Sequence, residues 1–178
     1  MKIQTIEVSG FMSMFCSLRL PYGKSPRVKG SCDFFLENDQ LNYGAIVTPH
    51  PKDLELVQKL ITRGDEHAKP MRGVIAYARI DAPVYFFVEL ETYRAGHERL
   101  FSTSTMHVDA KGLQGEELQR VKAEIPMGHE MTKVDMFSYQ CLRNIVRQRA
   151  NHRLPEWHEF IDWVHTLPLA EELIFVGL

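Results

Sequence analysis

Residues 73–94 read GVIAYARIDAPVYFFVELETYR, and the fold class follows from how this stretch divides. Val74, Ala76 and Ala78 alternate with Ile75, Tyr77 and Arg79, which is the two-residue period of a strand over Gly73 to Ile80. Asp81-Ala82-Pro83 is expected to break that strand, because proline has no amide to give a ladder. Val84 to Arg94 then reads as a helix whose Tyr85, Phe86 and Phe87 must be covered by the rest of the chain. The following residues, AGHERLFSTSTMH over 95–107, add Arg, His, Ser and Thr at close spacing. Arg94, His97, Arg99, Ser102, Ser104 and Thr105 thus offer guanidinium groups, an imidazole and hydroxyls on an anchored element, which suits a nucleotide phosphate. A solvated helix end followed by a polar loop is the alternative reading of the same residues.

Outward from this stretch, Met1 to Val8 is strand-like, and Phe11 to Leu20 reads equally as a helix or a second strand. Pro21 to Ser31 is a loop carrying Lys24, Arg27 and Lys29. Cys32 to Leu36 and Gly44 to Val47 are expected to form a strand pair. Pro51 to Arg63 is a helix, with Leu54, Val57, Leu60 and Ile61 on one face and Gly64 as its stop. Lys111 to Glu124 is a solvated hairpin or short helix. Lys133 to Arg149 is expected to be helical throughout, with Arg143, Arg147 and Arg149 near its end, where they complement the helix dipole. Leu154-Pro155-Glu156 opens a further helix carrying Trp157, Phe160, Ile161 and Val164, and Ala170 to Phe175 follows. The sum is an α+β, or mixed α/β, arrangement in a single domain spanning 1–178.

With 178 residues, 44% hydrophobic and 25% charged, the composition is that of a soluble globular chain. The formal net charge of −2 argues against general adhesion to nucleic acid or anionic membrane. No uncharged apolar run reaches the roughly 20 residues of a membrane helix, and no signal peptide is evident. Three cysteines without C-x-x-C spacing signal neither a zinc site nor a disulfide framework, so reduced thiols are expected. His67 has no companion at metal spacing, and no metal is expected.

The order helix, Gly64, Pro70, strand, Ala82-Pro83, helix, followed by Leu142-Arg143-Asn144, Arg149 and Leu154-Pro155-Glu156-Trp157, resembles the flavin-dependent thymidylate synthases, the ThyX family. It is similar also to the small ThyX-like proteins of bacteriophages. The resemblance covers about two thirds of the chain. It implies a ThyX-like fold, an antiparallel or mixed sheet packed with long helices. It further implies a cytoplasmic homotetramer with sites between subunits, FAD, a dUMP-like pyrimidine nucleotide, NADPH and methylenetetrahydrofolate. In the family a Gln, an Arg-His-Arg triplet and a Ser follow the Ala-Pro. Counted without gaps these fall on Glu89, Thr92-Tyr93-Arg94 and Ser102, with Ser104-Thr105 on the later Arg-Tyr; a shifted register brings His97-Glu98-Arg99 onto the triplet. Gly73 stands where the family has a His.

By that resemblance Arg149 and Ser102 serve the nucleotide, with Glu89 and Ser104 beside them. Arg94 and Asn144 serve the flavin, with His97 and Arg99 as alternates. Hydride chemistry would belong to the cofactor and positioning to the protein. A non-catalytic nucleotide binder on the same fold is the other reading, and each Arg could instead be paired with a neighbouring Glu at the surface.

Overall fold

The computed structural model describes residues 1–18, 20–22 and 49–178. Four strands, β1 (Lys2–Ser9), β2 (Ile75–Pro83), β3 (His97–Ser102) and β4 (Glu130–Ser138), form one sheet in the order β1-β2-β4-β3, every neighbouring pair antiparallel. The helices among the described residues are α1 (Phe11–Ser17), α2 (Pro51–Thr62), α3 (Val84–Leu90), α4 (Gly115–Glu124), α5 (Tyr139–Arg149), α6 (Pro155–His165) and α7 (Ala170–Leu173), with 3-10 turns at Leu20–Tyr22 and Lys69–Gly73. No described helix is long and apolar enough to cross a membrane.

The alternation in β2 decides where the core sits. Ala76, Ala78, Ile80 and Ala82 are all fully buried, and because three of the four are alanines the facing aromatic side chains come close to the sheet. Phe137 of β4 lies opposite Ala76 and meets Phe160 at 5.6 Å and Trp163 at 6.0 Å between ring centroids. Phe86 of α3 reaches Trp157 of α6 at 4.8 Å. The other face carries Tyr77, Arg79, Val134 and Met136, none of them buried.

Local chemistry sets the helix starts. Pro51 occupies the first turn of α2, where the His50 ring accepts from the Lys52 amide at 3.2 Å. Ser138 caps α5 by accepting from the Cys141 amide at 3.2 Å, and Pro155 opens α6. Gly10, at φ +93°, permits α1 to approach the turn before β2, since a Cβ there would lie 1.9 Å from the Gly73 carbonyl oxygen.

Some open readings are settled and other expectations are corrected. Phe11 onward resolves as helix. β2 runs on through Asp81-Ala82 to Pro83, because proline at the last strand position forgoes only a terminal hydrogen bond. The helix from Val84 stops at Leu90 rather than Arg94, and an edge strand, β3, stands where the alternative reading had a polar loop. The stretch expected as one helix from Lys133 divides into β4 up to Ser138 and α5 beyond it. Lys133, Asp135 and Phe137 are the buried face of β4, and two charged members hid that alternation. Lys111 to Glu124 resolves as a loop and α4, a helix with no buried residue. Cys141 is a buried free thiol, whereas Cys16 is disulfide-bonded, against the expectation of reduced thiols. The strand pair expected at 32–36 and 44–47 lies outside the described residues.

Candidate functional site

The last turn of α5 delivers Arg149 to a cluster built from α3 and α6. Its Nη1 lies 3.0 Å from Glu89 Oε2, and its Nε donates to the Tyr93 hydroxyl at 2.7 Å. The guanidinium carbon sits 4.6 Å from the Trp157 ring centre and 5.5 Å from that of Tyr93, a cation over two aromatic faces. Glu89 also accepts from the Trp157 indole at 3.0 Å and has His152 Nε2 at 3.5 Å. The carboxylate therefore balances the Arg149 charge and fixes its orientation.

Asn144 lies one and a half turns earlier on α5, so it faces a different direction. It lines a cleft of about 530 Å³ with Asp65, Arg72, Gly96, Ser138, Gln140, Ile75 and Met136. Arg72 Nε donates to Gln140 Oε1 at 2.6 Å, and Gln140 Nε2 donates to the Asp65 carbonyl at 3.2 Å. Asn144 Oδ1 accepts from Arg147 Nη2 at 3.4 Å. Gly96, at φ +84°, closes against α5's cap, where a Cβ would come 2.3 Å from Ser138 Oγ.

The remaining expected residues are dispersed. His97 is buried at the start of β3, stacked on Phe137 at 4.7 Å with its Nε2 3.6 Å from Asp135 Oδ2. Arg99 is spent on Glu91 at 2.7 Å, and Lys133 reaches the same carboxylate at 2.5 Å. Burial pushes the Glu91 carboxyl up, but the Lys133 hydrogen bond and the two cations outweigh it and hold the group below the usual carboxylate range. Arg94 and Ser102 are exposed. Ser104 lines a separate pocket of about 180 Å³ with Asp81, Asp109, His129 and Thr132. There the Thr132 hydroxyl, 2.5 Å from Asp81, outweighs burial and holds that carboxyl low.

Arg143 does not join the arginine cluster. It is buried and donates to the Ile174 and Val176 carbonyls at 2.6 and 2.8 Å, and burial pushes its pKa down. Among the described residues no group of three or more His, Cys, Asp or Glu could hold a metal ion. Glu89, Arg149 and Asn144 thus stand on or beside α5, while Ser102 and Ser104 belong to the far edge of the sheet. Tyr93, Trp157, Arg72 and Gln140 are the partners that sequence reading passed over. Trp157 carried a signal as an aromatic residue beside the family-like helix start. Gln140 carried none while its segment read as mid-helix.

The four-stranded antiparallel sheet with its helix layer is similar in fold to flavin-dependent thymidylate synthase ThyX. Two solved structures are similar over nearly the whole chain, both of Helicobacter pylori flavin-dependent thymidylate synthase ThyX with FAD and dUMP. One has 12% identity and a TM-score of 0.69, covering 98% of each chain. The other has 11% identity and a TM-score of 0.70, covering 98% of this chain and 97% of that one. No family model and no curated protein matches the sequence.

Proposed function

We propose that this chain binds a pyrimidine nucleotide of the dUMP type, with FAD as cofactor for methylation or another modification of that nucleotide. The observation that carries the reading is the full-length fold likeness to structures holding FAD and dUMP. In this reading Arg149 is the guanidinium for the pyrimidine, pre-oriented by Tyr93 and Trp157. Glu89 holds Arg149 in place. Ser102, Ser104 and the exposed Arg94 would serve a ligand at a site shared with a second copy, and Asn144 meets the flavin. The cleft around Asn144 is of ligand size and mixes apolar walls with amide and guanidinium groups, which fits a flavin ring. A bound flavin supplies hydride transfer. The chain's own part is to orient the pyrimidine and to limit water through the apolar walls of Ile75 and Met136.

The reading includes a cytoplasmic homotetramer. The half-buried sheet face bearing Tyr77, Val134 and Met136 supports association of copies, since these side chains are not fully buried within one chain.

A second reading, a nucleotide binder that has lost catalysis, is favoured by one observation. Glu89 already neutralises Arg149, which weakens the attraction available to an anionic ligand. The test is a visible absorption spectrum after incubation with FAD and removal of free dye, followed by calorimetric titration with dUMP. Retained flavin with dUMP binding is expected. Binding of dUMP without flavin selects the second reading, and a folded protein that holds neither refutes both.

A further inference from the structure

His97 and Asp135 form a buried pair that no part of the nucleotide and flavin reading uses. Asp135 of β4 is 1% exposed, and its Oδ1 has no hydrogen-bond partner among the described residues. His97, the first residue of β3, is 7% exposed, and its Nε2 is likewise unpartnered, 3.6 Å from Asp135 Oδ2. The imidazole lies flat on Phe137, its register partner in β4, with 4.7 Å between ring centres and 4° between ring planes. A carboxylate so deeply buried needs a facing positive charge. The neighbouring cations are committed elsewhere, since Lys133 and Arg99 both hold Glu91, at 2.5 and 2.7 Å. Glu91 is the charged group that the end of α3 brings here. Burial raises its carboxyl, but Lys133, Arg99 and His97 together keep it below the usual carboxylate range, so it stays ionised near neutrality. α6 meets Phe137 through Phe160 and Trp163, which carry no charge.

This leaves His97 as the group whose charge can change between about pH 5 and about pH 8. Protonated, its Nε2 is a charge-assisted donor for Asp135, and the cation rests on the Phe137 face. Neutral, it leaves the carboxylate buried without a counter-charge, which favours its exposure to water. The element that must give way is β3. His97 is the one buried residue of that strand, and the strand pairs with β4 alone.

We infer that His97 and Asp135 form a proton-operated latch that holds the edge strand β3 against β4, closed when the imidazole is protonated and loosened when it is neutral. Attachment of β3 is therefore strongest at the acidic end of the imidazole range and falls as pH rises through the titration of the pair. The latch adjoins the candidate cleft, because Gly96 lines that cleft and its carbonyl accepts from the Ser138 amide at 2.7 Å. It operates whether or not the cleft holds a ligand.

The experiment compares amide hydrogen exchange of the full chain at about pH 5.5 and about pH 8, the two sides of the imidazole range, with rates corrected for the intrinsic pH dependence of exchange. Protection of the β3 amides is expected to be about tenfold greater at the lower pH, with less than about twofold change in the β1–β2 ladder. His97→Gln and Asp135→Asn are each expected to abolish the difference. Equal β3 protection at both pH values in wild type overturns the inference, and so does a pH dependence that survives in a folded His97→Gln protein. Should neither variant fold, NMR titration of the His97 ring in wild type decides the matter. A midpoint that coincides with the change in β3 protection supports the latch, whereas a separate midpoint, or a ring that does not titrate in this range, overturns it.

Discussion

Glu89→Gln separates the two roles of the carboxylate that holds Arg149. The glutamine keeps an oxygen for the Trp157 indole, now 3.0 Å from Glu89, and removes only the charge facing Arg149. At an effective dielectric constant of about 20, opposite unit charges about 4 Å apart attract by roughly 4 kcal/mol. The two side chains are 19% and 34% exposed, so solvent screening and side-chain entropy reduce the net contribution to about 1 kcal/mol. Urea denaturation of Glu89→Gln is therefore expected to show a loss of about 1 kcal/mol, with an unchanged m-value.

Binding should move the other way. A guanidinium released from its internal anion attracts dUMP more strongly, and the carboxylate that would repel the nucleotide phosphate is gone. The expected gain is about tenfold in affinity by calorimetry at low salt, close to 1.4 kcal/mol. It should shrink as ionic strength rises, because both charges are partly exposed. Unaltered dUMP affinity at low salt, in a variant with native circular dichroism, would refute the claim that Arg149 faces the nucleotide.

Gly96→Ala is expected to destabilise by about 2 kcal/mol, since φ is +84° and the new Cβ would lie 2.3 Å from Ser138 Oγ; thermal melting checks this, and a melting temperature within a degree of wild type contradicts it. Burial pushes the Cys141 thiol up to about 12, so it should resist thiol reagents at pH 8 in the native protein and react once unfolded. The Glu91 carboxyl is held below its ordinary value of 4.5, so its stabilising contribution is present above that value and lost as pH falls through the folded-state value. Wild type should lose more stability than Glu91→Gln between pH 5 and about pH 3, measured by denaturant titration, and parallel curves would contradict the role given to Lys133 and Arg99.

The strand β2 and the helices α2 and α6 were legible because their apolar residues keep a single period over seven residues or more. β4 was not. Its inward positions are Lys133, Asp135 and Phe137, and the two charges are tolerated only because Glu91 and His97 stand beside them. That compensation comes from residues more than thirty positions away, so no local pattern announces it. β3 is an edge strand with one buried residue, His97, and it borrows its regularity from pairing with β4 rather than from its own side chains.

The candidate site was legible in part for the same reason. Arg149 and Asn144 sit at fixed spacing on one helix, and Glu89 could be counted from Ala82-Pro83. What could not be read is that Glu89 turns toward Arg149 and Trp157, which requires α3, α5 and α6 to be docked. Arg143 shows the converse case. It shares a cluster with Arg147 and Arg149 in sequence, yet burial commits it to the backbone carbonyls of Ile174 and Val176.

The shared carboxylate of Glu89 also gives the protein an internal optical probe. Any ligand that draws Arg149 away leaves Trp157 as the remaining short partner of that carboxylate, and so alters the field across a fully buried indole. Trp163 donates instead to the Thr5 hydroxyl at 2.9 Å, on the opposite edge of the sheet from β3. A Trp163→Phe protein would therefore report occupancy of the arginine cluster through the emission of one native fluorophore, without a label.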